Sequence, residues 1–285
     1  MFGSLKLGKF FGIDTYVHGT FWLLPLFVLF SDAGTSFGHM AFSLLFVFGL
    51  FFCIALHEVG HALAARAYGI RTRDITLYPI GGVASLERMP ERPWREVAVA
   101  LAGPAVNVAI ALGLLGGLVL SGLALPWDGE PDVVTEFVGQ MFVANVFLCL
   151  FNLLPAFPMD GGRVLRALLA TRMDRVRATE VAVTVGTVVA GVLIAAGLAL
   201  PMYNLILVAV VVWLLGQAEL TGVRFASVAR RVGMYEYPEP EVEPPPPRDA
   251  DADLAARRFS GLAWDKKRGL WVRWLNGVRI HDVPV

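Results

Sequence analysis

Apolar residues in this chain gather into runs long enough to cross a bilayer, separated by short clusters of charge, proline and glycine. A transmembrane helix needs about 20 predominantly apolar residues. Six segments meet or approach that requirement: residues 21–30 with their flanks, 40–65, 97–120, 133–154, 179–200 and 202–217. They predict an α-helical polytopic membrane protein with about six transmembrane helices. Two stretches break the helical pattern. Between Arg73 and Leu86, Ile75, Leu77, Ile80, Val83 and Leu86 alternate loosely with Thr76, Gly81, Gly82 and Ser85, which predicts a short membrane-associated β segment after the second span. Near the C-terminus, residues 271–275 and 278–282 flank Asn276-Gly277, a strong hairpin signal, and Trp264-Asp265 suggests a third strand.

Between the last span and that hairpin, residues 235–247 hold six prolines among acidic residues, the composition of an extended, semi-rigid tether. The chain is therefore expected to divide into a membrane domain at 1–234, a Pro/acid-rich linker at 235–253 and a small cytoplasmic β unit at 254–285. Some thirty residues bury little core, so the last unit is marginal by itself. No repeat with a period of 20 to 50 residues is visible.

Composition agrees with the membrane reading: 56% of residues are hydrophobic, only 17% are charged, and the mean hydropathy is +0.62, which together exclude an ordinary soluble domain. The first apolar stretch runs into Ser31-Asp32 instead of a small-residue cleavage pattern, so no cleavable leader is expected. The net charge of zero implies no attraction to nucleic acid. The distribution of charge is more informative. Lys6 and Lys9 precede the first segment, Arg66 to Arg95 lie between the second and third, Arg163 to Arg177 between the fourth and fifth, and Arg224, Arg230 and Arg231 follow the sixth. The alternate loops hold no Lys or Arg, and one carries Asp128, Glu130 and Asp132. Basic residues are retained on the cytoplasmic side, so the expected location is the inner (cytoplasmic) membrane, multi-pass, with both termini cytoplasmic. Both cysteines, Cys53 and Cys149, fall in apolar segments and read as buried thiols, with Cys53 one turn before His57.

The chemistry enters with His57-Glu58-Val59-Gly60-His61, set inside the apolar run 40–65. Histidines at i and i+4 share one helix face and can grip one metal ion, with Glu58 beside them as a base. A carboxylate in hydrocarbon costs about 3 kcal/mol or more, so its retention there points to use. A catalytic zinc takes three protein ligands and keeps one position open for water, so a third ligand is needed. Asp160 is the best candidate, in the Pro- and Gly-rich stretch 155–162 that follows the fourth span; the alternative is an ordinary cap on a short helix beginning near Gly162. His57 lies nine residues before Arg66, or about 13 Å of helix, which puts the metal within the bilayer towards its cytoplasmic face. His18 and Asn107 are polar groups explained by interface or interhelical hydrogen bonding, or by contact with residues that hold the metal.

Taken together, His57-Glu58-Val59-Gly60-His61 and the stretch Asn152-Leu153-Leu154-Pro155-Ala156-Phe157-Pro158-Met159-Asp160-Gly161 make the chain similar to the site-2 protease family of intramembrane zinc metalloproteases. Further similar stretches are Phe11-Gly12-Ile13 with His18, Ile80 to Ala84, and Ala102-Gly103-Pro104 with Asn107, so the resemblance spreads over about residues 10 to 220. It implies one zinc per chain on His57, His61 and Asp160, water activated by Glu58, and a role for Asn152 near the substrate. It also implies that the partners are transmembrane proteins in the lipid bilayer, cut in or near their membrane segments. No segment matches the PDZ domain or tandem CBS pair that some members carry. A substrate helix must unwind before cleavage, and Gly81, Gly82 and Val83 are the candidate residues for pairing with it as an added strand, with the Val83 amide as a donor; the alternative is that Gly81-Gly82 only makes a tight turn. Two other readings remain: a membrane metal transporter, and an inactive family member that only binds partners. Glu58 wedged between the histidines, and the lack of internal symmetry, weigh against both.

Overall fold

The computed structural model describes residues 3–90, 92–122, 132–231, 259–265 and 270–283. The linker 235–253 and the loop acids Asp128 and Glu130 lie outside them. Two compact units are present, Met1–Ser227 and Val228–Val285.

The first unit opens with an antiparallel pair, β1 (Ser4–Phe10) and β2 (Ile13–His18), joined at Phe11-Gly12, both with positive φ. A 3-10 turn (Gly19–Trp22) and a short helix α1 (Leu23–Ser31) lead to the 31-residue α2 (Phe37–Ala67), whose first turn is capped by the Ser36 hydroxyl accepting from the His39 amide. Gly69, at φ 74°, stops α2: its N–H donates to the Arg66 carbonyl and that of Ile70 to the Ala65 carbonyl. The chain then enters β3 (Thr72–Tyr78) and β4 (Gly81–Leu86). The four strands form one sheet in the order β1-β2-β3-β4, parallel only between β2 and β3, with β4 at one edge among the described residues. The sheet seats on α2. Ile13 and Ile75 pack with Val59 and Ala62, while Val17 and Leu77 pack with Phe21 and Phe51.

Helices α3 (Pro93–Ser121), α4 (Val133–Asn152), α5 (Asp160–Leu169), α6 (Arg175–Ala199) and α7 (Tyr203–Arg231) complete the helical part. Pro93 opens α3, where its missing N–H costs nothing, and Asp132 caps α4 by accepting from the Val134 and Thr135 amides. Five helices, α2, α3, α4, α6 and α7, are long and apolar enough to cross a membrane. The first of the six apolar segments is the exception. Its helical part, Gly19–Ser31, spans roughly 20 Å, short of the ~30 Å hydrocarbon core. The expected β segment after the second span is present as β3 and β4. The sheet is twice as large as the sequence suggested, because residues 4–18 read as a charged flank and not as strands.

The second unit contains a three-stranded antiparallel sheet, β5 (Gly261–Asp265), β6 (Leu270–Leu275) and β7 (Val278–Val283). Asn276 and Gly277, at φ 51° and 78°, form the turn expected of an Asn-Gly pair. Val272 and Trp274 are buried among its described side chains, and Trp264 meets Trp271 edge-on at 5.4 Å.

Candidate metal centre

One turn of α2 presents His57 and His61 on the face turned towards α3. The two helices approach closely because of two glycines. A Cβ on Gly60 would sit 2.8 Å from the Ala102 carbonyl, and one on Gly103 would sit 2.3 Å from His61 Nε2 and 2.6 Å from His57 Nε2. Backbone of α3 thus forms a wall of the centre, and no side chain fits there. The His61 ring is held by the Val99 carbonyl, which accepts from Nδ1 at 2.7 Å and leaves Nε2 free to ligate.

Asp160 is the first residue of α5, with Met159 as its N-cap. It is therefore the first helical residue and not the cap that the alternative reading required, and its side chain reaches the histidines. Its Oδ2 lies 3.1 Å from His57 Nε2 and 3.1 Å from His61 Nε2, and the two Nε2 atoms are 3.0 Å apart. Arg163 Nη1 stands 3.8 Å from the other oxygen, Oδ1. Neither Gly161 nor Gly162 has a positive φ, so the pair makes no glycine-dependent turn. What it allows is close approach: a Cβ on Gly161 would lie 2.3 Å from the Leu153 and Leu154 carbonyls, and one on Gly162 2.7 Å from the Ala156 backbone. Chain 153–158 folds directly over the first turn of α5, and that contact aims Asp160 inward.

These three atoms have the chemistry and spacing of a zinc cradle. Ligand atoms about 2.0–2.1 Å from a tetrahedral ion are some 3.3 Å from one another, and two imidazole nitrogens with one carboxylate oxygen form a familiar catalytic donor set. His57, His61 and Asp160 are all buried, and they make up the cluster of His, Cys, Asp or Glu found among the described residues with donor atoms close enough to hold an ion. The sequence model of peptidase family M50 matches residues 45–127 and 129–196, a stretch that includes all three ligands, Glu58 and Asn152. The chain belongs to peptidase family M50.

M50 membership is the same as membership of the site-2 protease family of intramembrane zinc metalloproteases, so the metal implied at these ligands is zinc. The chain is 32% identical to a zinc metalloprotease of Methanocaldococcus jannaschii over 231 residues, 80% of this chain and 64% of that one. It is 36% identical to a putative zinc metalloprotease of Synechocystis over 178 residues, covering 59% of this chain and 45% of the relative. The putative zinc metalloprotease Rip3 of Mycobacterium tuberculosis is 35% identical over 69% of this chain and 51% of its own. The chain thus spans about half to two thirds of these relatives. In three dimensions it resembles the site-2 protease from Methanocaldococcus jannaschii with a TM-score of 0.56 at 32% identity, over 76% of this chain and 95% of that one.

The other sequence candidates separate. Glu58 is half-buried, and its Oε2 accepts from the Ala84 amide of β4 at 3.0 Å. Gly82 lies against it, since a Cβ there would be 2.6 Å from Glu58 Cγ. Val83 is exposed. Asn152 ends α4 and donates from Nδ2 to the Leu148 carbonyl at 3.0 Å. Cys53 takes no part in the metal cluster and accepts from Asn145 Nδ2 at 3.3 Å. His18 caps the 3-10 turn by accepting from the Thr20 amide and lies 5.0 Å from the Tyr78 ring. Asn107 is fully buried on α3, one turn beyond Gly103.

Sequence reasoning missed Arg166. Counted there as a loop charge, it is fully buried, with Nε and Nη2 donating to Glu96 Oε1 at 2.9 and 2.5 Å, Nη1 to Glu219 Oε1 at 2.5 Å, and its guanidinium 5.1 Å from the Phe157 ring. It ties the helix that carries Asp160 to α3 and α7. The available signal was Glu219, an acid at the end of an apolar run with no Lys or Arg within four residues of it. Arg166→Leu leaves buried Glu96 with only the half-exposed Arg175, 3.6 Å from its other oxygen, as a partner, so it is expected to cost up to about 3–5 kcal/mol, read as a lowered unfolding midpoint in detergent. A midpoint within 1 °C or so of wild type would show that Glu96 is solvated after all.

Proposed function

We propose that this chain is an intramembrane zinc endopeptidase that hydrolyses peptide bonds in or near the transmembrane segments of other membrane proteins. The observation that carries the reading is the buried triangle of Asp160 with His57 and His61, the two histidines on a helix long and apolar enough to cross a membrane and a carboxylate, Glu58, beside the first of them. Its donors converge on one point instead of lining a path, which favours a catalyst over a transporter.

Zinc bound there supplies a Lewis acid that makes water easier to deprotonate and a carbonyl easier to attack. The residues supply the rest. Val99 fixes the His61 ring so that Nε2 stays a donor to metal, and Arg163 engages Oδ1 of Asp160 while Oδ2 faces the histidines. Glu58 takes the proton of the attacking water and returns it to the leaving amine, so no covalent enzyme intermediate is needed. Gly81, Gly82 and Val83 belong to β4, the edge strand that pairs with β3, and we assign that edge to the unwound substrate, with Asn152 nearby in the chain path to Asp160. The sorting of Lys and Arg supports cytoplasmic termini in the inner membrane, with the reaction confined to residues 1–234 and residues 254–285 acting as a separate β unit on the cytoplasmic side.

The test is cleavage by the purified, reconstituted chain of a helical transmembrane substrate, lost on chelation and regained with added zinc. A zinc-loaded, folded protein that cuts no such substrate, while moving zinc across the vesicle membrane, would replace this reading with transport.

A further inference from the structure

Strand β4 offers its backbone to two different neighbours, and the division follows from its pairing. Tyr78 pairs with Gly81 across the two-residue turn Pro79-Ile80, and the register continues with Leu77 opposite Gly82, Thr76 opposite Val83 and Ile75 opposite Ala84. In an antiparallel ladder the pairs alternate, one exchanging both hydrogen bonds and the next pointing its N–H and C=O outward. A two-residue turn closes on a bonded pair. Gly81 and Val83 therefore bond to β3, while Gly82 and Ala84 point away from it. The Ala84 hydrogen bond agrees with this: its N–H goes not to β3 but to Glu58 Oε2, at 3.0 Å. The Val83 amide, expected from sequence to meet the substrate, faces Thr76 instead.

We propose that Ala84 is a positioning residue for hydrolysis, its backbone N–H holding the Glu58 carboxylate in place as the base. This rests on the reading of Glu58 as the base. A glutamate on a helix has three rotatable side-chain bonds, and a fixed donor at one carboxylate oxygen removes much of that freedom, leaving the second oxygen for the proton of water. Gly82 contributes by proximity. With Gly82 2.6 Å from Glu58 Cγ at the Cβ position, any larger residue there would push the carboxylate off the Ala84 amide.

Proline separates the two kinds of amide, because in a sheet it is tolerated where the N–H faces outward and not where it bonds to a neighbouring strand. Ala84→Pro is expected to fold, hold zinc and keep KM within a few-fold, with kcat down by about 10–100-fold, a typical cost of losing a group that orients an active-site residue. Ala84→Gly, which keeps the N–H, should recover most of that rate. Val83→Pro should instead lower stability by breaking the ladder. A second measurement does not depend on the proline variant: residue-resolved amide exchange in the zinc-loaded protein. Removing the acceptor in Glu58→Ala should speed exchange at Ala84 by about 10-fold or more and leave Val83 protected. Wild-type kcat in zinc-loaded Ala84→Pro, or unchanged exchange at Ala84, overturns the assignment. Failure of the underlying reading looks different, since it requires Glu58→Gln itself to cleave normally.

Discussion

Glu58→Gln keeps its zinc and loses cleavage by about 10²–10⁴-fold, the usual contribution of a positioned general base. The substitution is nearly isosteric, and the amide oxygen of Gln can still accept from the Ala84 N–H, so the side chain should stay where it is. What it lacks is the ability to take a proton from water. The three ligands are untouched, because Glu58 is not among the atoms that converge on the metal position. Metal analysis and a cleavage assay on the same preparation separate the two properties. If the variant binds zinc in full and cuts at the wild-type rate, another group is the base. The inactive protein also serves as a trap, since bound substrate should persist on it long enough to copurify.

Asp160→Ala is the second large effect, and here the metal itself goes. Its Oδ2 is the anionic corner of the triangle, 3.1 Å from each histidine nitrogen, and it comes from a helix about one hundred residues further along the chain. Two neutral imidazoles remain, with neither the charge nor the third donor that a catalytic zinc site needs. Zinc should fall from about one per chain to less than a tenth after dialysis, with cleavage lost in proportion. Asp160→Asn keeps size and one oxygen but loses the charge, and should bind with intermediate strength. Undiminished zinc in Asp160→Ala would remove this residue from the site. The fold should survive, because Arg166, Glu96 and Glu219 still clamp α5 between its neighbours.

Much of the membrane architecture was legible from one dimension because its cause is one-dimensional. A helix in hydrocarbon must satisfy its own backbone and present apolar side chains for its whole length, so spans two to six stand out as runs. The first segment misled because it has the composition of a span without the length, ending at Ser31 after nine helical residues. Residues 4–18 misled for the opposite reason: Ile13, Thr15 and Val17 alternate as a strand should, but the alternation is brief and charges surround it. The Asn-Gly turn was readable because it needs positive φ at both positions.

The metal ligands show where that legibility stops. His57 and His61 are four residues apart, and helix geometry alone puts them on one face, so the sequence by itself determined half of the centre, the apolar setting around it and the class of metal. Asp160 was one plausible carboxylate among others until chain 153–158 folded over Gly161-Gly162 and turned it inward. Only the tertiary structure decided three further things: that α3 comes close enough at Gly103 to wall the site, that buried Arg166 fixes the helix carrying Asp160, and that Glu58 leans on the Ala84 amide at a sheet edge. The physical reason is the same in each case. These are contacts between distant segments, set by the absence of a Cβ, by a buried ion pair or by the direction of an amide, and none of them leaves a periodic trace in the order of side chains.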